Sequence, residues 1–127
     1  MDVIDPSTGE RIDTYEEDSE QDVEASLNRA TGAFEEWRDR SIREREELLA
    51  AAGEVLRENE REYAETMTRE MGKPIEQGVA EIEKCAWACD HYAEHADAYL
   101  APEGHPSPPG ASVETVYEPL GPVLAVM

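Results

Sequence analysis

The sequence predicts a mostly α-helical chain with an N-terminal β-hairpin and two C-terminal strands. Three observations lead there. Apolar residues recur at spacings of three and four between Val23 and Ala96, which is the period of an amphipathic helix. Ser-x-x-acid signatures stand ahead of the first two of these runs, and Gly and Pro clusters interrupt the chain between runs. Both ends contain short stretches that alternate polar and apolar residues or run apolar without break, as strands do.

The opening Val3-Ile4 and Arg11-Ile12-Asp13-Thr14-Tyr15 flank Asp5-Pro6-Ser7-Thr8-Gly9. Pro fixes φ, Asp and Ser bond to nearby backbone, and Gly accepts positive φ, so a hairpin turn is expected. Ser19-Glu-Gln-Asp22 then caps helix one, whose stripe is Val23, Leu27, Ala30, Phe34 and Trp37. Ser41-Ile-Arg-Glu44 repeats the signature for helix two, whose apolar stripe is Leu48, Leu49, Ala52, Val55 and Leu56. Asn59-Glu-Arg-Glu62 reads as a further cap, so helices two and three should meet near Glu58, with Tyr63, Ala64 and Met67 inward.

Met71-Gly72-Lys73-Pro74 ends helix three. Gly supplies the left-handed terminal residue, and Pro opens the next helix where its missing N–H costs nothing. Helix four is expected from Pro74 to about Leu100, with Ile75, Val79, Ile82, Ala86, Cys89, Ala93 and Ala96 on one side. Ala101 to Gly110 holds four Pro and two Gly in ten residues and reads as a stiff connector without secondary structure. Ser112 to Glu118 alternates as an exposed strand, and after the Pro119-Leu-Gly-Pro122 turn the run Val123 to Met127 reads as a strand covered on both faces. This chain offers that strand no parallel neighbour, which suggests that the polypeptide is incomplete.

Charge limits the function classes. Acidic side chains number 31 against 11 basic ones, for a formal net charge of −20. A nucleic-acid partner is excluded for want of a basic face. The helical periodicity speaks against disorder, and an acidic surface with two lysines beside nine arginines points to adaptation to high salt, where self-repulsion is screened. No apolar run reaches the length of a membrane span, and the N-terminus lacks a basic start and apolar stretch, so the expected address is the cytoplasm. Cys85 and Cys89, four apart on a helix, fit a reducing compartment rather than a disulfide scaffold.

Candidate chemistry is thin. Cys85, Cys89, His91 and His95 are the residue types of a zinc site. At about 100° per residue they fall near 0°, 40°, 240° and 280°, so four ligands do not converge on one ion. His91 and His95 share a face, but no Glu or third ligand is placed as in a known metal helix. The expected roles are two small core thiols and two surface imidazoles. A nucleophilic cysteine needs a helix N-terminus or a cation to lower its pKa, whereas both thiols sit mid-helix among acids. Gly72-Lys73-Pro74 lacks the upstream glycine and following Ser or Thr of a phosphate loop, which leaves Lys73 as a cation at the end of helix three. Glu76, Glu81 and Glu83 read as a solvated face. The residues therefore assign no catalytic, cofactor-binding or metal position.

The hairpin IDPSTGERI, the segment AFEEWRDRSIREREELL, the segment TREMGKPIEQGVAEIEKCAWACDHYAEHA and the closing YEPLGPVLAVM resemble, in order and spacing, the N-terminal portion of the aldehyde dehydrogenase superfamily. EMGKP followed by EIEKCAWACDHYAE is most similar to the succinate-semialdehyde dehydrogenase branch. The resemblance covers essentially the whole chain. It implies an intact α/β fold, a small aldehyde substrate oxidised to the acid with NAD or NADP through a cysteine thioester, and a homo-oligomer at full length. It also implies that residues 1–127 are an incomplete part of the NAD(P)-binding domain, that residues 111–119 form a bridging and oligomerisation strand, and that residues 120–127 begin the first sheet strand. Pro122 stands where the family more often has a small apolar residue. The oxyanion-hole Asn, cofactor-binding Lys, glycine-rich helix start, general-base Glu and nucleophilic Cys of the family would all lie beyond Met127. Cys85 and Cys89 match helix positions. The expectation is a portion that neither binds the cofactor nor catalyses alone. The alternative reading is a self-sufficient acidic helical interaction module.

Overall fold

The computed structural model describes residues 1–126. The elements are β1 (Asp2–Ile4), β2 (Arg11–Thr14), α1 (Glu20–Arg38), α2 (Ile42–Glu58), α3 (Glu60–Met71), α4 (Ile75–Tyr99), β3 (Glu103–His105) and β4 (Val113–Thr115). The helices dominate, and the strands form two separate antiparallel pairs, β1–β2 and β3–β4.

The first hairpin forms as its turn chemistry requires. Asp5 Oδ1 accepts from the Ser7 N–H at 2.8 Å and the Ser7 hydroxyl at 2.6 Å, and Gly9 takes φ +75°. Those donors, the hydroxyl first, hold the Asp5 carboxyl below its ordinary value. The turn rests against the end of α3, where a Cβ on Gly72 would lie 3.0 Å from Pro6 Cγ.

Both predicted capping boxes are complete. Ser19 Oγ accepts from the Asp22 N–H at 3.2 Å while Asp22 Oδ2 accepts from the Ser19 N–H at 3.1 Å. Ser41 and Glu44 repeat the exchange at 3.3 and 2.9 Å. The serine hydroxyls, then the serine N–H groups, hold the Asp22 and Glu44 carboxyls below their ordinary values of 3.8 and 4.5. A depressed folded-state pKa means that the box stabilises fully above the ordinary value and fails as pH falls through the lowered one. In about 1 M salt, where repulsion between carboxylates is screened, the helix signal at 222 nm is therefore expected to hold from neutrality down to 4.5 and to fall below 3.8. Ser41→Ala, costing about 1 kcal/mol at neutral pH, should shrink that acid-dependent loss.

Asn59 departs from the sequence reading. It lies between α2 and α3 at φ −113°, ψ 16°, and its side chain makes no cap bond to α3. Instead its Nδ2 donates to the Val55 carbonyl at 2.8 Å and closes the end of α2. One residue joins two nearly continuous helices, so its backbone never takes the extended conformation that aims a capping oxygen forward. Gly72 ends α3 at φ 72°, with its N–H bonded to the Thr68 carbonyl at 3.0 Å, as expected. Pro74 is the residue before α4, not its first turn, and its carbonyl accepts from Gln77 and Gly78 at 2.9 and 3.0 Å.

The core lies where α4 crosses α2 and α3. Ala64, Ile82 and Ala86 are its buried apolar side chains, and Gly53 and Gly78 are buried beside them. The α4 stripe behaves as its spacing predicts, with Ile75, Val79, Cys89, Ala93 and Ala96 half-buried around that centre. In α2 the inward positions are Leu49, Gly53 and Leu56, whereas Leu48, Ala52 and Val55 turn outward. Helix α1 buries none of its residues, and Val23 and Leu27 of its apolar stripe remain exposed.

The C-terminal part departs from the sequence reading in three places. The Pro-rich stretch contains a strand after all, because Pro102 and Pro106 flank Glu103-Gly104-His105, leaving three residues with N–H groups. These pair Glu103 with Thr115, Gly104 with Glu114 and His105 with Val113. Tyr117 Oη donates to Glu103 Oε1 at 2.9 Å across the same hairpin, and that carboxylate holds the phenol above its ordinary value. The exposed strand expected over Ser112–Glu118 is regular only at Val113–Thr115. The expected strand 120–127 is not formed over residues 120–126, where no ladder partner is present and Leu120, Val123, Leu124 and Val126 are almost fully exposed. Met127 lies outside the described residues.

Candidate functional site

Helix α4 carries most of the candidate groups, and its geometry separates them. Cys89 is half-buried on the inner face, where a Cβ on Gly53 would lie 3.2 Å from its Cβ. Cys85 is exposed, which corrects its expected place in the core; one turn before Cys89 it has rotated past the contact with α2. It borders an open surface groove together with Lys73, Glu81 and Lys84. Lys73 does more than face the end of α3: its Nζ forms an ion pair with Glu81 and ties the α3–α4 turn to the second turn of α4. Glu81 is thus engaged, whereas Glu76 and Glu83 are exposed. An interhelical ion pair joins Arg57 of α2 to Asp90 of α4.

On the outer face of α4, Trp87, His91, His95 and Tyr99 follow one another every fourth residue and stack. Ring centroids are 5.2 Å apart for Trp87–His91, 4.5 Å for His91–His95 and 6.0 Å for His95–Tyr99, with interplanar angles of 23°, 21° and 22°. His95 Nδ1 lies 2.8 Å from the His91 carbonyl oxygen, and His91 Nε2 lies 2.9 Å from Tyr99 Oη. The cysteines do not join the imidazoles, as the angular spacing required. Among the described residues no group of three His, Cys, Asp or Glu side chains converges as metal ligands.

Between α2 and α4 runs an apolar trough of about 330 Å³, floored by Leu49 and Ala96 and walled by Trp37, Leu48, Tyr92 and Leu100. Arg45 stands at its rim with a buried Nε that has no hydrogen-bond partner. The trough offers shape and an unused donor, but neither a nucleophile nor an acid–base pair. Sequence reading missed Gly53 and Gly78, the residues that let α4 approach its neighbours. Their signal is a glycine inside a helical stripe, which otherwise only weakens a helix.

No helix among the described residues is long and apolar enough to cross a membrane. The aldehyde dehydrogenase family model matches residues 1–127. The chain is 41% identical over 124 residues to succinate semialdehyde dehydrogenase [NAD(P)+] Sad of Escherichia coli (strain K12), covering 98% of this chain and 27% of the relative. It is 37% identical over 126 residues to succinate-semialdehyde dehydrogenase [NADP(+)] 1 of Mycobacterium tuberculosis (strain H37Rv), covering 98% and 28%. The crystal structure of succinic semialdehyde dehydrogenase from Streptococcus pyogenes with NADP+ superposes with a TM-score of 0.84 at 28% identity, over 91% of this chain and 25% of that one. The chain thus spans about a quarter of the length of the relatives it matches. The helical layer and strand pairs described above are a portion of the α/β fold of those enzymes, and the chain belongs to the aldehyde dehydrogenase family.

Proposed function

We propose that these residues form the outer helical layer of the cofactor domain of an NAD(P)-dependent aldehyde dehydrogenase that oxidises succinate semialdehyde to the acid. The observation that carries this reading is the likeness to succinate-semialdehyde dehydrogenases along 98% of the chain. The chain's own part in that enzyme is structural. Helix α4 packs against α2 and α3, and the ion pairs Arg57–Asp90 and Lys73–Glu81 lie beside those contacts.

NAD or NADP is bound in the crevice at the carboxyl ends of several parallel strands, with its phosphates at a glycine-rich helix start. The strands of this chain are two antiparallel pairs, and α4 begins behind Lys73-Pro74. These residues do not fit the dinucleotide. Cys85 and Cys89 are the eleventh and fifteenth residues of α4, far from the N–H groups that would stabilise a thiolate. Both features support a portion that contributes shape and not chemistry. Residues 111–119 are assigned to a bridging strand that meets a second subunit in a homo-oligomer, and residues 120–127 to the first strand of the sheet. The exposed Val113, Val116 and Tyr117, and the unpaired apolar run from Leu120 to Val126, are in keeping with both roles.

The test is the 127-residue chain incubated with succinate semialdehyde and either NAD+ or NADP+, followed by reduced nicotinamide absorbance. No reduction above the protein-free rate is expected. Turnover that disappears in Cys85→Ala or Cys89→Ala would overturn the structural role.

A further inference from the structure

We propose that the apolar run Leu120–Val126 docks into the trough between α2 and α4 of its own chain whenever no other strand is paired with it. The inference is independent of the dehydrogenase reading, because it joins two surfaces that these residues already carry. In the structure the run stands clear of the trough, with Leu120, Val123, Leu124 and Val126 almost fully exposed.

Placement comes first. The trough, of about 330 Å³, and a second hollow, of about 210 Å³, share Ile42, Arg45 and Leu100. Arg38, Tyr117, Glu118 and Pro119 complete the second hollow. The run therefore leaves the body of the chain beside one end of the trough. Its hinge is Gly121, at φ 136°, a conformation that side chains disfavour and glycine adopts freely. From Arg45 to Ala52 the trough follows α2 for seven residues, about 10 Å at 1.5 Å each. Past the hinge, Val123 to Val126 extended is also about 10 Å, at about 3.3 Å per step. Alternate side chains of an extended segment share a face, so Leu124 and Val126 enter together.

The chemistry matches the placement. Leu49, Ala96, Leu48 and Tyr92 offer apolar walls, and the run offers apolar side chains that are otherwise in water. The run has no charged side chain, so the acidity of the chain does not oppose its approach. Arg45 stands where the two hollows join, with a buried Nε that lacks an acceptor, and an extended run passing that point brings backbone carbonyls, which accept. A tether of a few residues gives the chain's own run an effective concentration in the millimolar range, far above that of a second copy in dilute solution. An unpaired apolar strand otherwise invites pairing between chains. Docking shelters it until other strands are at hand.

The test compares the 127-residue chain with one ending at Pro119, both in about 1 M NaCl to screen the carboxylates. The dye anilinonaphthalene sulfonate reports exposed apolar surface. Trp37, on the trough wall, reports its cover in a Trp87→Phe background. Removing the run is expected to raise dye fluorescence at least twofold, although apolar residues have been deleted, and to shift Trp37 emission to the red. A peptide of residues 120–127 added in trans should reverse both changes. Leu124→Ser/Val126→Ser in the full chain should reproduce them with helix signal at 222 nm retained, so the result does not depend on how the shortened chain folds. Dye fluorescence that falls on deletion, or Trp37 emission unmoved by the double substitution, would overturn the docking. Sedimentation of the full chain as a dimer that the same substitutions dissociate would also overturn it, by showing that the run covers a second copy.

Discussion

Replacing Gly78 with leucine is expected to cost about 3 kcal/mol or more of the chain's folding stability, at the upper end for overpacking. A Cβ there would lie 3.0 Å from Ala64 Cβ, 3.1 Å from its Cα and 3.3 Å from its carbonyl oxygen. Two of those atoms are backbone, which no rotamer change can move aside. Helix α3 must then withdraw from α4 and open the contacts of Ala64 and Ile82, two of the three apolar side chains buried among the described residues. A core this small leaves little reserve. Urea unfolding followed at 222 nm would show a lowered midpoint with the slope retained. Gly32→Ala is the internal control: nothing lies within 4 Å of its added methyl, so only helix propensity acts, and a gain of up to about 1 kcal/mol is expected. Equal stability of Gly78→Leu and the parent chain would mean that the crossing is looser than described.

The contrast between the two glycines shows what local sequence could reveal. Helix boundaries at Ser19, Ser41 and Gly72 were legible because each depends on atoms within a few residues of one another. So was the inner face of α4, whose period alone gathers Ile82 and Ala86. Gly53 and Gly78 were not, since their meaning depends on Ala86 and Ala64 of other helices. Asn59 misled because a capping residue type says nothing of the backbone conformation it will occupy. Strand β3 was hidden by its flanking prolines, and only pairing with β4 makes it a strand. Residues 120–126 show the converse: an apolar run announces burial, but burial needs a partner that local pattern cannot supply. The site candidates divide likewise. Angular spacing was enough to part the cysteines from the histidines, whereas the Tyr99 contact with His91 spans eight residues and needed side-chain directions.

Salt should decide whether the chain folds at all, and here the expected effect is the largest in scope. We propose that the acidic surface is an adaptation to high salt. The net charge is −20, yet the ion pairs are few, and Arg11–Asp2, Arg43–Glu47 and Arg61–Glu65 have exposed side chains, where such pairs contribute at most about 1 kcal/mol. Most of the acids therefore repel one another with only solvent between them. The opposing apolar contribution is limited, since α1 buries no residue and the central core among the described residues is three side chains. At about 1 M salt the Debye length is about 3 Å and neighbouring carboxylates scarcely interact, whereas at about 0.01 M it is about 30 Å and the repulsion acts across the whole domain. Dialysis from the first condition to the second should thus take the helix signal toward that of an unfolded chain, with α1 lost first. Returning the salt should restore it. Chloride and perchlorate at equal ionic strength should both do so if screening is the cause, although sulfate, which also strengthens apolar burial, should do more. A helix content unchanged across that range would show that packing outweighs repulsion and that the acidic surface serves some other end.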